Sequence, residues 1–498
     1  MSEQTVAAEA TSANGSASIP VPVGLGDAAS AAREAFGVTV TSSAVERAAW
    51  LRAGAEALDG HLDELVPLAD EETHLGTARL TGELARTSAQ LRLFADVVLE
   101  GSYLEATIDH PDPAATPPRP DLRRMLRPLG PVAVFGASNF PVAFSVAGGD
   151  TASALAAGCP VIVKNHSAHA RLGRRTAEIV TAALQAAGAP AGILTLVEGR
   201  QTGADLVAHP AVRAVGFTGS LHGGRALFDL ATGRPDPIPF YGELSAVNPV
   251  LITPAALAAR GDELAAGLAG SFTLGVGQFC TNPGVVLAPA GSGFADLVTT
   301  AVGTPTPARM LTDGIADAYA QGLAGLAAHD GVEVVTGRLA QLPGTGTPTV
   351  LATTAQAVLE DPAALLTECF GPATLIVEYD HPDDALDVIR AVGGSLTATV
   401  HAEPHEDLTG IVAVLTEIAG RILFTGWPTG VAVSWAQTHG GPWPATTSIH
   451  TSVGAAAIRR FLRPITYQDA PDHVLPPELR DTNPHRIPRR INGQLQLP

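Results

Sequence analysis

From residue 131 onward, short apolar runs alternate with helical ones. PVAVFG (131–136), CPVIVKN (159–165), AGILTLVEG (191–199) and AVRAVGFTGS (211–220) are bounded by turn residues and read as buried strands. Between the first three lie AFSVAGGDTASALAAG (143–158) and RLGRRTAEIVTAALQAAG (171–188), whose apolar residues recur at helical spacing. Parallel strands need long crossovers and bury both faces, so this alternation predicts an α/β chain with a doubly wound parallel sheet. Ligands of such a sheet bind at the carboxyl ends of its strands. A second α/β region begins near 243–250, with strands at NPVLI (248–252), GVVLA (284–288), GPATLIVEYD (371–380), LTATVHA (396–402) and RILFTG (421–426). Its helices are expected around DELAAGLAGSFTLG (262–275), GIADAYAQGLAGLAAHDG (314–331) and HPDDALDVIRAVG (381–393).

The flanks are less regular. Residues 1–20 are small and polar and are expected to be disordered. Residues 27–100 read as three or four helices. Residues 101–130, with prolines at 111, 113, 117, 118 and 120 and basic residues at 123, 124 and 127, read as an irregular or edge-strand excursion. A net charge of −19 argues against nonspecific binding of nucleic acid. No apolar run is long enough for a membrane helix, and no basic segment followed by an apolar one signals secretion. Three cysteines without a pairing pattern fit a reducing, cytoplasmic setting.

Few residues stand out chemically, and each has a bland alternative. Cys280, in SFTLGVGQFCTNPGV (271–285), is either a small buried hydrophobe or a nucleophile activated by its surroundings. Asn139 follows the first strand, where it is a turn former or a donor to developing negative charge. Lys164 ends the second strand and is the only lysine among 30 basic residues; an ammonium there can be merely solvated or can hold ribose or phosphate oxygens. GFTGSLHGG (216–224) places a glycine-rich turn at a helix N-terminus, a weak anion-binding signal. Glu243 lies 37 residues before Cys280 and would be a surface carboxylate or, in a cleft, a general base. His166 and His169 lack partners at zinc-ligand spacing, so no metal is expected.

In combination these segments resemble the aldehyde dehydrogenase superfamily over roughly residues 25–470. The resemblance rests on Asn139-Phe140-Pro141, the strand-end Lys164, Phe217-Thr218-Gly219-Ser220, Glu243-Leu244-Ser245 with Asn248-Pro249, Gly277-Gln278-x-Cys280-Thr281, and Glu368-x-Phe370-Gly371-Pro372. It implies Cys280 as nucleophile, Asn139 with the Cys280 amide as oxyanion donors, and Glu243 as the base for thioester hydrolysis. It further implies Lys164 and Glu368 on the cofactor riboses, Phe370 near the nicotinamide, and Phe217, Gly219 and Ser220 along the pyrophosphate. The implied architecture is a Rossmann-type cofactor domain (21–100 and 131–242), an α/β catalytic domain (243–438), and a small oligomerisation element with a tail (101–130 and 439–498). A homodimer or homotetramer is implied as well.

Two departures from the family pattern carry information. Ala137-Ser138 precede Asn139 where many members carry tryptophan. Ser167 stands where many members carry a glutamate that accepts the adenosine ribose hydroxyls. A carboxylate would repel a 2′-phosphate and a serine can donate to it, so NADP is expected in preference to NAD, with Arg171 or Arg174 as possible helpers. Three runs, including HGGPWPATTSIHTSVG (439–454), are similar to a bacterial branch acting on 2-oxoglutarate semialdehyde (2,5-dioxovalerate). NADP-linked dehydrogenases of fatty aldehydes are similar over two of them. A non-catalytic structural member and a reductase of acyl thioesters are the rival classes, and intact Cys280, Glu243 and Asn139 disfavour both. Gly426–Gly430 and 439–447 are candidate substrate-mouth loops, with Trp427 and Trp443 either lining the mouth or packing.

Overall fold

A computed structural model of the chain describes residues 22–428 and 430–498. The N-terminal segment expected to be disordered and Thr429 of the expected mouth loop lie outside the described residues. Four helices come first: α1 (Leu25–Thr39), α2 (Ala44–Gly60), α3 (Leu62–Thr73) and α4 (Thr77–Glu100). Ser43 and Glu46 form a reciprocal capping box that starts α2. The apolar stripes of α2 and α4 meet over Trp50, Leu51, Leu84, Leu91 and Phe94, all buried.

The excursion at 101–130 is more regular than its prolines suggest. It contains β1 (Thr107–Asp109) and β2 (Leu122–Pro128). β2 lies between β1 and the tail strand Leu462–Gln468 in a five-stranded sheet that ends with Arg489–Ile491 and Gln494–Gln496. It is therefore an interior strand, which corrects the irregular or edge reading. The arginines hid it: Arg123 is buried, but Asp121 and Asp481 each bind its guanidinium at 2.8 Å, and the Leu479 carbonyl accepts from it at 2.7 Å.

The expected parallel sheet follows: β3 (Val132–Phe135), β4 (Val161–Lys164), β5 (Leu194–Val197), β6 (Ala214–Thr218) and β7 (Phe240–Glu243). Its order is β5-β4-β3-β6-β7, every pair is parallel, and α5 (Gly149–Ala157), α6 (Ala170–Ala186), α7 (Arg200–Ala208) and α8 (Leu221–Thr232) make the crossovers. The sequence expectation missed β7 as a strand and began α5 too early. Residues 141–147 form turns instead, and a Cβ on Gly148 would lie 2.4 Å from the Ala143 carbonyl. Strand order reverses between β3 and β6, so a crevice opens where their carboxyl ends carry Asn139 and Gly219-Ser220.

The second sheet has seven strands in the order Glu333–Thr336, Thr349–Thr354, Ala373–Tyr379, Val285–Pro289, Val250–Ile252, Ser395–His401 and Ala419–Phe424. Its first pair is antiparallel and the rest are parallel. Residues 439–453 lie along the end of β7: the Leu244 amide donates to Ala445 and the Thr447 amide to Gly242, at 2.9 and 3.0 Å. Among the described residues no helix is long and apolar enough to cross a membrane.

Candidate active site

The Cys280 loop leaves the helix Pro254–Thr273 through a tight turn with positive φ at Gly275 and Gly277. A Cβ on Gly277 would sit 2.2 Å from the Gly371 carbonyl, so this glycine lets the loop close on Gly371-Pro372. Gln278 fixes the loop's far side by accepting from the Leu311 amide at 3.0 Å. Asn248 fixes the near side. Its Nδ2 donates to the carbonyls of Cys280 (2.8 Å) and Asn282 (3.0 Å), and its Oδ1 accepts from the Thr397 amide at 3.1 Å. Asn248 has φ +54°, a conformation asparagine tolerates better than most residues.

Glu243 ends β7 and is fully enclosed. His439 Nε2 lies 3.0 Å from its Oε1, and the Ser452 hydroxyl donates to its Oε2 at 2.9 Å. The same His439 Nε2 lies 3.5 Å from Cys280 Sγ. One ring nitrogen thus faces the thiol and the carboxylate, and it can serve as donor or acceptor to only one of them at a time. Burial pushes the Glu243 carboxyl up, but the attraction of His439 and hydrogen bonds from His439, Ser452 and Cys280 outweigh it and hold it below the ordinary carboxylate range. For Cys280, burial and then the Glu243 charge act together and push the thiol well above its usual range. The resting pair is therefore a thiol beside a carboxylate. These three side chains lie within 4.8 Å of one another and could also hold a borderline-soft divalent cation.

Asn139 is buried in the turn after β3. Its Nδ2 donates to the Gln278 carbonyl at 3.1 Å, which puts its amide against the Cys280 loop and leaves its second N–H for another acceptor. Arg79 of α4 donates to the Asn139 carbonyl at 2.6 Å and lies over the rings of Phe140 and Phe279.

The residues assigned to a dinucleotide lie around the crevice. Lys164 ends β4, where burial lowers its ammonium and Glu198 opposes the shift. Gly219 follows β6, and Ser220 caps α8 by accepting from the Gly223 amide at 3.2 Å. Phe217 packs between Phe135 and Phe240, with centroids 5.8 Å from each. Ser245 donates to Glu368 at 2.6 Å, and burial raises the Glu368 carboxyl to about 7. Phe370 lines a cleft with Ala246, Asn282 and Glu368. Ser167 is exposed just beyond β4. The two suggested helpers are already occupied: Arg171 binds Glu71 and Arg174 binds Glu198, each at 2.7 Å. His166 and His169 stack on one another, and the His169 ring bonds the Ala137 carbonyl at 2.8 Å, so they support the Asn139 turn. A half-buried ammonium at the end of β4 and a helix N-terminus at the crevice suit a dinucleotide, and a half-buried carboxylate, Glu368, lies in the cleft with Phe370.

Sequence reasoning missed His439, Ser452 and the bracing role of Asn248. His439 opens the HGGPWPATT run, and a histidine heading a glycine-rich turn was the available signal. Trp427 packs on His401 with centroids 4.6 Å apart, and Trp443 is half exposed beneath Arg225.

The fold and this cysteine–asparagine–glutamate arrangement are those of an aldehyde dehydrogenase. Residues 24–441 match the aldehyde dehydrogenase family model, and the chain belongs to that family. It is 50% identical over 475 residues to alpha-ketoglutaric semialdehyde dehydrogenase 2 of Azospirillum brasilense, covering 93% of this chain and 90% of that one. It is 42% identical over 476 residues to alpha-ketoglutaric semialdehyde dehydrogenase of Acinetobacter baylyi, covering 94% and 90%. Among solved structures, aldehyde dehydrogenase C of Pseudomonas syringae shares the fold with a TM-score of 0.75 at 19% identity, over 89% of this chain and 88% of that one.

A thiol held above its ordinary range of about 8.5 stays protonated at neutral pH. Alkylation of Cys280 by iodoacetamide in the cofactor-free enzyme should therefore keep rising as pH passes that range. Peptide mapping separates it from Cys159 and Cys369, whose thiols burial pushes up to about 11 and about 12. A rate for Cys280 that levels off below neutral pH would contradict the protonated resting state.

Proposed function

We propose that this enzyme oxidises 2-oxoglutarate semialdehyde to 2-oxoglutarate with NADP in preference to NAD, as a cytoplasmic homodimer or homotetramer. The main support is its 50% identity, over nearly the whole length of both chains, to a protein named for that aldehyde, together with intact Cys280, Asn139, Glu243 and His439. Fatty aldehydes remain the rival substrate class.

The chemistry follows from the hydrogen bonds. The Glu243 carboxylate, which accepts from the Cys280 thiol, takes its proton as the sulfur attacks the aldehyde carbon, and His439 Nε2 and the Ser452 hydroxyl hold that carboxylate in place; the proton passes to solvent before hydrolysis. The new oxyanion receives the free N–H of Asn139 and the Cys280 amide. Lys164, the α8 N-terminus and Glu368 hold the dinucleotide, which, when bound, accepts the hydride released from the carbon attached to sulfur. Glu243, kept ionised by Ser452 and His439, then takes a proton from water, whose oxygen displaces the thiolate and frees the acid. Ser167 replaces a carboxylate near the adenosine ribose. Arg200 starts α7 after β5, the strand that pairs with β4; it is exposed and in no ion pair among the described residues, so it is the candidate to meet a 2′-phosphate.

Three measurements test this scheme. The kcat/KM of the wild-type enzyme should favour 2-oxoglutarate semialdehyde over a medium-chain alkanal, and the opposite order would sink the substrate assignment. Glu243→Gln should retain a burst of NADPH while its steady-state rate falls by about 100-fold or more; an unchanged steady state would remove its role as base. Ser167→Glu should shift the NADP/NAD ratio of kcat/KM toward NAD by about 10-fold or more, from charge repulsion alone. An unmoved ratio would refute this route to cofactor choice.

A further inference from the structure

Two guanidinium groups near Cys280 make no ion pair among the described residues. Arg86 lies on the inner face of α4, with its guanidinium 5.2 Å from the centroid of Phe144, whose ring is 6.4 Å from that of His439. Its Nε donates to the Val431 carbonyl at 3.2 Å, while Nη1 and Nη2 are enclosed and have no hydrogen-bond partner among the described residues. Arg421 lies on the strand Ala419–Phe424 and meets the same loop. Its Nη1 reaches the neighbouring Gly430 carbonyl at 3.5 Å, and its Nε and Nη2 are likewise enclosed and unpartnered. Burial lowers both guanidinium pKa values, and Cys280 is among the groups that oppose the shift in each.

Glu243 acts on Arg86 through space, but its oxygens are taken by His439 and Ser452 and neither neighbouring carboxylate bonds the guanidinium. Glu83 sits one turn from Arg86, but its Oε1 is spent on the Val142 and Ala143 amides at 2.9 and 3.0 Å, and burial pushes its carboxyl up. Arg79 is engaged on the Asn139 carbonyl and two phenyl rings. Enclosing donors of like charge without acceptors is costly, so such a pair makes sense only if an anion completes it.

We propose that Arg86 and Arg421 form the binding site for the carboxylate end of an aldehyde acid whose aldehyde end is attacked by Cys280. Adjacent loop carbonyls at 430 and 431 hold one N–H of each fork, and the remaining N–H groups take the carboxylate and, in a 2-oxo acid, the neighbouring keto oxygen. The identity of that acid rests on the substrate proposed above; the anion site does not.

The test measures kcat/KM of the holoenzyme for 2-oxoglutarate semialdehyde, glutarate semialdehyde and pentanal, in wild type, Arg86→Met, Arg421→Met and Arg86→Lys. In each methionine variant the preference for acid over alkanal should fall by about 50-fold or more, mainly through KM. Arg86→Lys should retain part of the preference, because it keeps the charge and loses the fork. Methionine variants that keep the wild-type ratio, or that lose acid and alkanal equally, would overturn the site. If wild type prefers glutarate semialdehyde to its 2-oxo analogue and the variants lose that preference, the anion site stands and the 2-oxo acid assignment fails. If wild type prefers pentanal to both acids, both fail.

Discussion

The contact on which this molecule turns is the 3.0 Å hydrogen bond between His439 and Glu243. An enclosed carboxylate is costly unless both oxygens find partners, and here the second partner is the Ser452 hydroxyl. Both partners arrive from 439–453, a run that pairs briefly with the end of β7 and then feeds the tail. Arg460 secures that run. Its guanidinium is buried, pairs with Asp150 at the start of α5 at 2.7 Å, and also reaches the Ser452 carbonyl. The position of the base is therefore set by packing between the first sheet, its α5 crossover and the tail.

That arrangement resolves an apparent conflict in the electrostatics. A nucleophilic thiol is usually activated by positive surroundings that lower its pKa, yet Cys280 faces a carboxylate that raises it. The conflict holds only for the resting state. Once an aldehyde is present, the proton needs a place to go at the moment the C–S bond forms, and on the proposed mechanism it goes to the Glu243 carboxylate, which already accepts from the thiol. A thiol that stays protonated until then is protected from oxidation and alkylation, which scale with thiolate content. The negative charge that raises the thiol is the charge later needed to activate water.

The alternation of strands and helices was legible because buried parallel strands need uninterrupted apolar runs, which VAVF, VIVK and LTLV supply. β7 was not legible: FYGE is short, ends in the Glu243 carboxylate and lacks that apolar signature, so its strand character comes from pairing with β6. β2 was hidden by arginines whose burial depends on Asp121 and on Asp481, a residue far away in the chain. At the site, Cys280, Asn139 and Glu243 stood out because each has a short motif around it, and the structure sets Glu243 beside Cys280 and the Asn139 amide against the Cys280 loop. His439 did not stand out, since its role depends on a contact spanning 196 residues. Likewise nothing in the sequence distinguished Arg86 and Arg421 from the arginines that end in surface ion pairs.

The chain carries a net charge of −19, although it must admit both an anionic dinucleotide and, on the assignment proposed here, an anionic aldehyde. Screening limits this repulsion, because exposed charges act over about 8 Å at physiological ionic strength. What an entering anion meets is set by the groups lining each mouth. Lys164 and the α8 N-terminus mark the cofactor crevice, and Arg86 and Arg421 mark the pocket before Cys280. Interactions in that enclosed pocket are stronger than the same charges would be on the surface. The cost falls on the free enzyme, which keeps polar donors enclosed without acceptors. Other buried polar atoms among the described residues also lack partners, but only at Arg86 and Arg421 do two nitrogens of one guanidinium, so these two arginines point to an anion more directly than any motif in the sequence.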